Sequence, residues 1–309
     1  MSSTTSRLMK ELRARIDGRP TPGAVPPPAP LVHRPLAPGS RLARDTVRKG
    51  DSAARFVLPP PLPVKNAAAL AELRRATPAL VGVGRAGLRY RTETLLDFLT
   101  RFAVAKAAVE SQVPAGWAEQ HGMLPLETEA ETPEQFLARP DLGRKLSAAS
   151  MRAVAERCAK QPDVQLVVGD GLSANAVMLN APAMLARLVP ELERRGLKVG
   201  TLVFVRHARS RLVDVVGQAV GARVGVILIG ERPGLGTGDG MSAYLVHDPH
   251  VARTDAEKQA VSNIHARGIA PEEAALHAAR VIQAILEQRT SGVKLDLTRL
   301  ESPTAGRAR

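Results

Sequence analysis

The sequence predicts an α/β protein in which a Rossmann-like, doubly wound parallel sheet follows a small helical subdomain and a disordered proline-rich N-terminus. In the C-terminal half, short runs rich in valine and isoleucine alternate with longer helical runs, as in parallel sheets joined by crossover helices. Half of the 24 prolines come before residue 64, so little regular structure is expected there. A hydrophobic content of 44% over 309 residues can bury a substantial core.

Residues 1–63 are expected to form a disordered, basic, proline-rich tail. Its prolines are concentrated at 20–38 and 59–63, and proline at that density disfavours both helices and central strands. Ahead of them, residues 7–16 carry apolar side chains at helical spacing, and Ser6 can cap a short amphipathic helix. This helix is either a frayed end or a docking peptide for a shell or partner protein.

Residues 64–146 are predicted to form the small helical subdomain. Asn66 is a candidate cap for a helix over 67–75, and Thr92 is one for a helix over 93–110. A glycine-rich turn at 80–87 lies between these helices.

Residues 147–292 are predicted to form the Rossmann-like domain, and residues 293–309 a flexible C-terminal tail. Candidate strands cover residues 164–168, 199–205, 224–229 and 242–247. Candidate helices cover residues 149–160, 174–195, 211–220, 255–266 and 271–288. Pro271 suits a first helical turn, and Gly196 suits a helix exit.

Composition argues against several functional classes. No window approaches the roughly 18 consecutive apolar residues of a membrane span, and the N-terminus lacks a signal-peptide apolar region; we therefore expect a cytoplasmic protein with no membrane partner. Residues 1–60 hold eleven Lys and Arg against four Asp and Glu, so much of the net charge of +13 lies in the tail. With only 3% aromatic residues for base stacking, nucleic-acid binding is not expected. Cys158 is the only cysteine, and we expect a buried, inert thiol.

The run Val-Ile-Leu-Ile-Gly-Glu-Arg-Pro-Gly-Leu-Gly at 226–236 is the strongest functional signal. An apolar strand leads directly into a turn with glycines, a carboxylate and a guanidinium, which lets main chain approach a ligand closely. The alternative is a flexible connection. The glycines fit neither the P-loop pattern nor the dinucleotide fingerprint, so a nucleotide-phosphate site is disfavoured.

Three predicted strand ends should converge on one edge of the sheet, bringing together residues 169–173, 206–210 and 230–240. Asp170, Ser173 and His207 would then invite a serine hydrolase hypothesis. However, the sequence lacks a G-x-S-x-G elbow, and the order of the three residues matches none of the familiar triads. The seven histidines are scattered without zinc-site spacing, so no metal-binding residue is assigned.

Several ordered blocks make the chain resemble the small (light) subunit of ethanolamine ammonia-lyase, an adenosylcobalamin-dependent enzyme. Besides the Gly-Glu-Arg-Pro-Gly block at 230–234, they are Gly-Arg-Ala-Gly at 84–87, Arg-Pro-Asp-Leu-Gly-Arg at 139–144, Asp-Gly-Leu-Ser at 170–173, Gly-Leu-Lys-Val-Gly at 196–200, Phe-Val-Arg at 204–206 and Ser-Asn-Ile-His at 262–265. The resemblance runs from about residue 73 to about residue 292. The ordered set is more specific than any single motif.

The resemblance implies a subunit that forms one wall of a cobalamin site, with the large subunit completing the site and residues 64–146 contacting that partner. Ser210, Glu231 and Ala260 match cobalamin-contacting positions of the family, while catalytic residues would lie on the large subunit. The reaction implied is ethanolamine to acetaldehyde plus ammonia by a radical mechanism. Short amphipathic N-termini in the family resemble tags for bacterial microcompartments, so a shell contact through residues 7–16 is a further expectation.

Other interpretations remain beside this one, both for the whole chain and for single residues. Asp248-Pro249-His250 partly matches the D-x-H-x-x-G cobalt-ligand motif of some cobalamin proteins, but Arg253 stands where its glycine would be, so no protein ligand to cobalt is assigned. The chain could instead be a stand-alone nucleotide-binding module or a non-catalytic microcompartment scaffold. For single residues, Glu231 could form a local ion pair with Arg232, Asp170 could cap the following helix, and His265 could be an interior histidine.

Overall fold

The computed structural model describes residues 64–77 and 79–298. The predicted tail over residues 1–63, including its amphipathic helix and shell contact, lies outside this range, as do residues 299–309 of the predicted C-terminal tail. The proposed boundary between the helical subdomain and the sheet domain also stays a prediction.

The described part of the chain contains eight α-helices. They are α1 (Ala67–Ala76), α2 (Thr92–Glu110), α3 (Trp117–Gln120), α4 (Pro133–Ala138), α5 (Ala148–Arg157), α6 (Ala174–Arg194), α7 (Leu212–Val220) and α8 (Pro271–Gln288). Asn66 caps α1 through a 2.9 Å bond from the Ala69 amide, as predicted. Pro271 opens α8, and Gly196, with φ +76°, follows α6. The cap assigned to Thr92 is wrong, because Thr92 is already the first helical residue and Arg91 stands at the cap position.

Eight strands form two sheets within the described residues. A small hairpin pairs β1 (Arg85–Ala86) with β2 (Arg89–Tyr90). The main sheet has the order β3–β5–β4–β6–β7–β8. Its strands are β3 (Leu124–Glu127), β4 (Val164–Gly169), β5 (Val203–Arg206), β6 (Val224–Gly230), β7 (Met241–His247) and β8 (Lys258–Ile264).

The main sheet is mixed, so the prediction of a wholly parallel sheet is wrong at one side. Strands β3, β5, β4 and β6 are parallel, whereas β7 runs antiparallel to β6, and β8 antiparallel to β7. Parallel neighbours need a crossover connection, usually a helix. The connection over residues 231–240 contains no helix, and β7 therefore returns directly beside β6.

Two elements differ from the prediction. The helix predicted over 255–266 is a short 3₁₀ turn at Asp255–Glu257 followed by β8. Strand β3 lies within the predicted helical subdomain yet pairs with β5 in the main sheet. Its Pro125 weakens the strand signal but is tolerated because β3 is an edge strand.

Helices cover both faces of the sheet, which places the protein in the predicted α/β class. On one face α6 and α8 pack over alternate strand residues such as Leu166 and Leu228. On the other face α5 and α7 pack over the intervening residues, including Val167 and Ile227. Leu295, within the predicted tail, joins the first core. In the described range, none of the helices has both the length and the apolarity of a membrane span.

Candidate functional site

The loops after β4, β5 and β6 meet at one edge of the sheet, as predicted. The Asp170 carboxylate accepts hydrogen bonds from the amides of His207, at 2.9 Å, and Ala208, at 3.0 Å. The Leu172 amide donates to the Gly230 carbonyl at 3.0 Å. Residues after β4 therefore hold the other two loops in place.

Asp170 is buried and organises this edge. Burial raises the pKa of its carboxyl group, while the two amide bonds act in the opposite direction. The hypothesis that Asp170 caps α6 is wrong, because the Ser173 hydroxyl accepts the capping bond from the Ala176 amide at 3.2 Å. Asp170 instead fixes the loop that leads from β5 to α7.

A serine hydrolase receives no support from these side chains. The Ser173 hydroxyl donates to the Gly238 carbonyl at 2.7 Å. Ring nitrogen Nδ1 of His207 lies 2.9 Å from the Ala130 carbonyl and is assigned as its donor, while the ring stacks on Phe136. Both groups are therefore engaged with other partners, and neither activates the other.

Gly171 and Gly230 allow the loops to approach each other more closely than residues with a side chain could. A Cβ atom on Gly230 would lie 2.1 Å from the Ser173 carbonyl oxygen. One on Gly171 would lie 2.2 Å from the Gly230 carbonyl oxygen. Glycine at these positions is a packing requirement of the site.

The loop over residues 231–240 is anchored at its second half, so it is more than a loose connection. The Asn180 side chain donates to the Asp239 carbonyl at 2.9 Å, and Arg267 lies 3.5 Å from the Asp239 carboxylate. The Ser173 bond to Gly238 adds a third anchor. Arg232 and Leu235 in the first half are exposed, which leaves that part of the loop accessible to a ligand.

Glu231 is half-buried at the start of this loop and contacts Tyr244. The Tyr244 hydroxyl donates to Glu231 Oε1 at 2.7 Å. Burial, and then the adjacent carboxylate, raise the pKa of the Tyr244 phenol. The hypothesis of a Glu231–Arg232 ion pair is wrong, because no such pair forms among the described residues. Tyr244 instead holds one carboxylate oxygen in place.

The three predicted site residues lie on the α7 side of the sheet. Ala260 pairs with Tyr244 across β7 and β8, so the two side chains share a face, and Ala260 is exposed. Ser210 lies in the loop between β5 and α7 and is half-exposed. Ser262, two residues beyond Ala260 on the same strand, is also exposed. Strand β8 therefore presents an open surface with small side chains beside Tyr244 and Glu231, whereas Ser242 and Val246 of β7 are buried.

His265 is the interior histidine that the alternative interpretation described. It is buried at the end of β8, with ring nitrogen Nε2 2.8 Å from the Asn263 side-chain oxygen. Its Nδ1 accepts a bond from the Arg267 amide at 3.2 Å. Burial lowers the pKa of the ring, which favours the neutral form that this pattern requires.

Asp248-Pro249-His250 lies at the opposite edge of the sheet. His247, directly before it, pairs with Val224 at the start of β6, and a pocket of about 460 Å³ lies beside it. Asp248 pairs with Arg253 at 3.1 Å. No group of three His, Cys, Asp or Glu side chains in residues 64–77 and 79–298 is arranged to hold a metal ion.

Two contributors to the site are not predicted from the sequence. Tyr244 could have been noticed because Ser242, Tyr244 and Val246 alternate along one strand face. Arg209 lies in the predicted loop at 206–210, but its packing over Phe136, with the guanidinium carbon 4.2 Å from the ring centre, has no local sequence signal.

A comparison with protein-family models finds a match. The model described as ethanolamine ammonia-lyase light chain (EutC) matches residues 67–296. That range is about three quarters of the chain, and it includes the loops after β4, β5 and β6 as well as Ser210, Glu231 and Ala260. The chain belongs to the ethanolamine ammonia-lyase light chain family.

Proposed function

We propose that this chain forms one wall of an adenosylcobalamin site, completed by the large subunit of an ethanolamine ammonia-lyase, for the conversion of ethanolamine to acetaldehyde and ammonia. The observation that carries the proposal is the open surface of β8 at Ala260 and Ser262, beside Tyr244 and Glu231. The parallel strands and their helices form the Rossmann-like part of the proposed domain, and their carboxyl ends flank this surface.

The residues present suit a corrin ring. Corrin is broad, flat and largely apolar, with amide side chains at its rim, so it needs an accessible surface with few large side chains and scattered hydrogen-bonding groups. The side chains of Ala260 and Ser262 are short and project little from the strand, and Glu231 offers a carboxylate acceptor. None of the described helices covers Ala260 or Ser262, since both are exposed.

Each residue has a defined part in this proposal. Glu231 accepts a hydrogen bond from a corrin amide while Tyr244 keeps its carboxylate oriented. Ser210 and Ala260 contribute main-chain contacts, which do not depend on a long side chain. Bound adenosylcobalamin would supply the radical chemistry by homolysis of its cobalt–carbon bond. The protein surface would orient the ring and exclude water.

An exposed apolar surface on α2 and the β1–β2 hairpin supports the proposed contact with the large subunit. Its side chains are Leu88 (98% exposed), Leu96 (58%), Leu99 (49%) and Phe102 (54%). Exposed large apolar side chains that occur in groups typically mark protein interfaces. We place the large-subunit contact of residues 64–146 on this surface.

The proposal is tested by replacing Glu231 in the assembled enzyme. Glu231→Ala should raise the adenosylcobalamin concentration needed for half-maximal activity by about tenfold, given about 1.5 kcal/mol for a hydrogen bond to a charged group, without impairing assembly. Glu287→Ala, an exposed glutamate on α8, is the matched control and should leave that concentration unchanged. An unaltered cofactor requirement in Glu231→Ala would refute the assigned role. Nucleotide binding without cobalamin binding would favour the stand-alone module.

A further inference from the structure

We propose that Arg144, Arg209 and Arg232 form an anion site that binds the phosphodiester in the nucleotide tail of the cofactor. The inference deepens the proposed function and rests on it. It gives a role to three arginines at the edge of the sheet where the parallel strands end.

The three arginines come from separate segments that the fold brings together. The Arg209 amide donates to the Gly143 carbonyl at 2.8 Å, which holds the 3₁₀ turn Leu142–Arg144 against the loop after β5. Arg232 lies directly after Glu231 in the loop after β6. Arg144 and Arg232 are both near enough to Arg209 for their charges to lower its pKa, after burial as the main cause.

Arg209 is packed in place with unused hydrogen-bonding capacity. Its guanidinium stacks over Phe136, and one terminal nitrogen donates to the Phe136 carbonyl at 3.2 Å. Its Nε is buried and has no hydrogen-bond partner within the described ranges. A buried donor without a partner is costly, so this nitrogen is a candidate contact for a ligand.

The positive charge here is not balanced by neighbouring carboxylates. Asp170, the acidic group that acts on Arg209, already accepts two amide hydrogen bonds. Arg144 and Arg232 are exposed, and neither forms an ion pair in the part of the chain that the structure describes. Two further positive charges that act on Arg209 favour an anion beside its guanidinium group.

Among the functional groups of cobalamin, the phosphodiester is the one that arginine side chains would bind. Cobalamin carries neutral amides around its corrin and one phosphodiester in its nucleotide tail. Guanidinium groups bind phosphate oxygens through paired hydrogen bonds. Arg209 and Arg232 directly adjoin Ser210 and Glu231, so the anion site borders the proposed corrin surface. A carboxylate of the large subunit is the other possible source of such an anion.

The experiment compares two cofactor forms on the assembled enzyme. Adenosylcobinamide lacks the nucleotide tail and its phosphodiester, whereas adenosylcobalamin has both. Binding is measured by absorption spectroscopy, without reference to turnover. In the Arg144→Gln/Arg232→Gln double variant, the preference for adenosylcobalamin over adenosylcobinamide should fall by about tenfold or more, because hydrogen bonds between charged groups are lost. Both positions are exposed, so we expect the double variant to fold normally. Arg157→Gln, an exposed arginine on α5, is the control and should keep the preference.

Each outcome separates the hypotheses. An equal loss of affinity for both cofactor forms, or no loss at all, would overturn the phosphodiester assignment. If the double variant assembles less well without cofactor but keeps its preference for adenosylcobalamin, the anion belongs to the large subunit. That result would also overturn the phosphodiester assignment. If the wild-type complex binds neither form, the cobalamin role itself fails and this inference with it. Arg209→Lys, which keeps the charge but loses the paired geometry, should reduce the preference in part.

Discussion

At the scale of single residues, close backbone approach decides where glycine is required. Gly230 touches the Ser173 and Asp170 carbonyls so closely that a Cβ atom would lie 2.1 Å and 2.6 Å from their oxygens. A Cβ on Gly240 at the other end of the loop would meet nothing within 4 Å. Glycine is therefore required by packing at Gly230, whereas Gly240 has room for a side chain.

Alanine substitutions test this difference. Gly230→Ala should lower the free energy of unfolding by about 2 kcal/mol or more, because the loops after β4 and β6 must separate. Gly240→Ala should change it by less than about 1 kcal/mol in either direction. Denaturant unfolding of the two variants is the measurement. Equal stabilities would show that the contact at Gly230 relaxes freely.

The Glu231–Tyr244 bond has a spectroscopic signature. The negative carboxylate stabilises the neutral phenol, so its removal should lower the pKa of Tyr244. Tyr90→Phe leaves Tyr244 as the only tyrosine, and the absorbance of the phenolate can then be followed during titration. In this background Glu231→Gln should shift phenolate formation to lower pH. Identical titration curves would mean that the two side chains do not interact in solution.

The sequence predicts part of the site and omits another part. Glu231 is visible because it sits in a glycine-rich turn directly after an apolar strand. Tyr244 and Arg209 gain their importance from partners elsewhere, since Arg209 packs on Phe136, 73 residues earlier in the chain. Local patterns do not encode such contacts, so they emerge only once the fold is known.

At the scale of secondary-structure elements, strand β8 shows why periodicity misled the prediction. Val261 and Ile264 both pack on the α8 side of the sheet although they are three residues apart, a spacing typical of a helix. The pairing of β7 with β8 has a register shift between Met241 and Ala243. A bulge there places both side chains on one face. Helices α1, α6 and α8 have no strand register to shift, and they were predicted nearly to the residue.

Strand β8 is joined to helix α7 by a buried ion pair. Lys258 Nζ lies 2.8 Å from Asp214 Oδ2, and the two side chains are 2% and 1% exposed. Lys258→Met would leave a buried carboxylate without its cation and should lower the free energy of unfolding by about 3–5 kcal/mol. Chemical denaturation measures the effect.

Two further variants complete that test. Lys106→Met breaks the exposed pair with Glu110, where the side chains are 63% and 65% exposed, and should cost less than about 1 kcal/mol. Combining Lys258→Met with Asp214→Leu should recover much of the lost stability, because no unpaired charge then remains buried. If Lys258→Met behaves like Lys106→Met, the buried pair does not hold β8 in place.

At the scale of the whole molecule, the two ends of the sheet are chemically different. The edge with the carboxyl ends of the parallel strands carries the tightly packed loops and the Arg144, Arg209 and Arg232 cations, and the open surface of β8 lies beside it. The opposite edge carries the pocket beside His247 and His250. The fold class and the loop convergence follow from the sequence because alternating strands and helices place parallel strand ends at one edge. The antiparallel return of β7 and β8, which creates the open surface of β8, does not follow from that pattern.

Hydrogen exchange of the assembled enzyme tests most directly whether this face is the cobalamin wall. Adding adenosylcobalamin should slow amide exchange in residues 206–211, 230–240 and 258–265, because the bound ring covers those loops and the edge of the sheet. Exchange in residues 217–223 and 247–250 at the opposite edge should stay unchanged. Slowed exchange at that opposite edge, or no change in the first three segments while the cofactor is bound, would contradict the account.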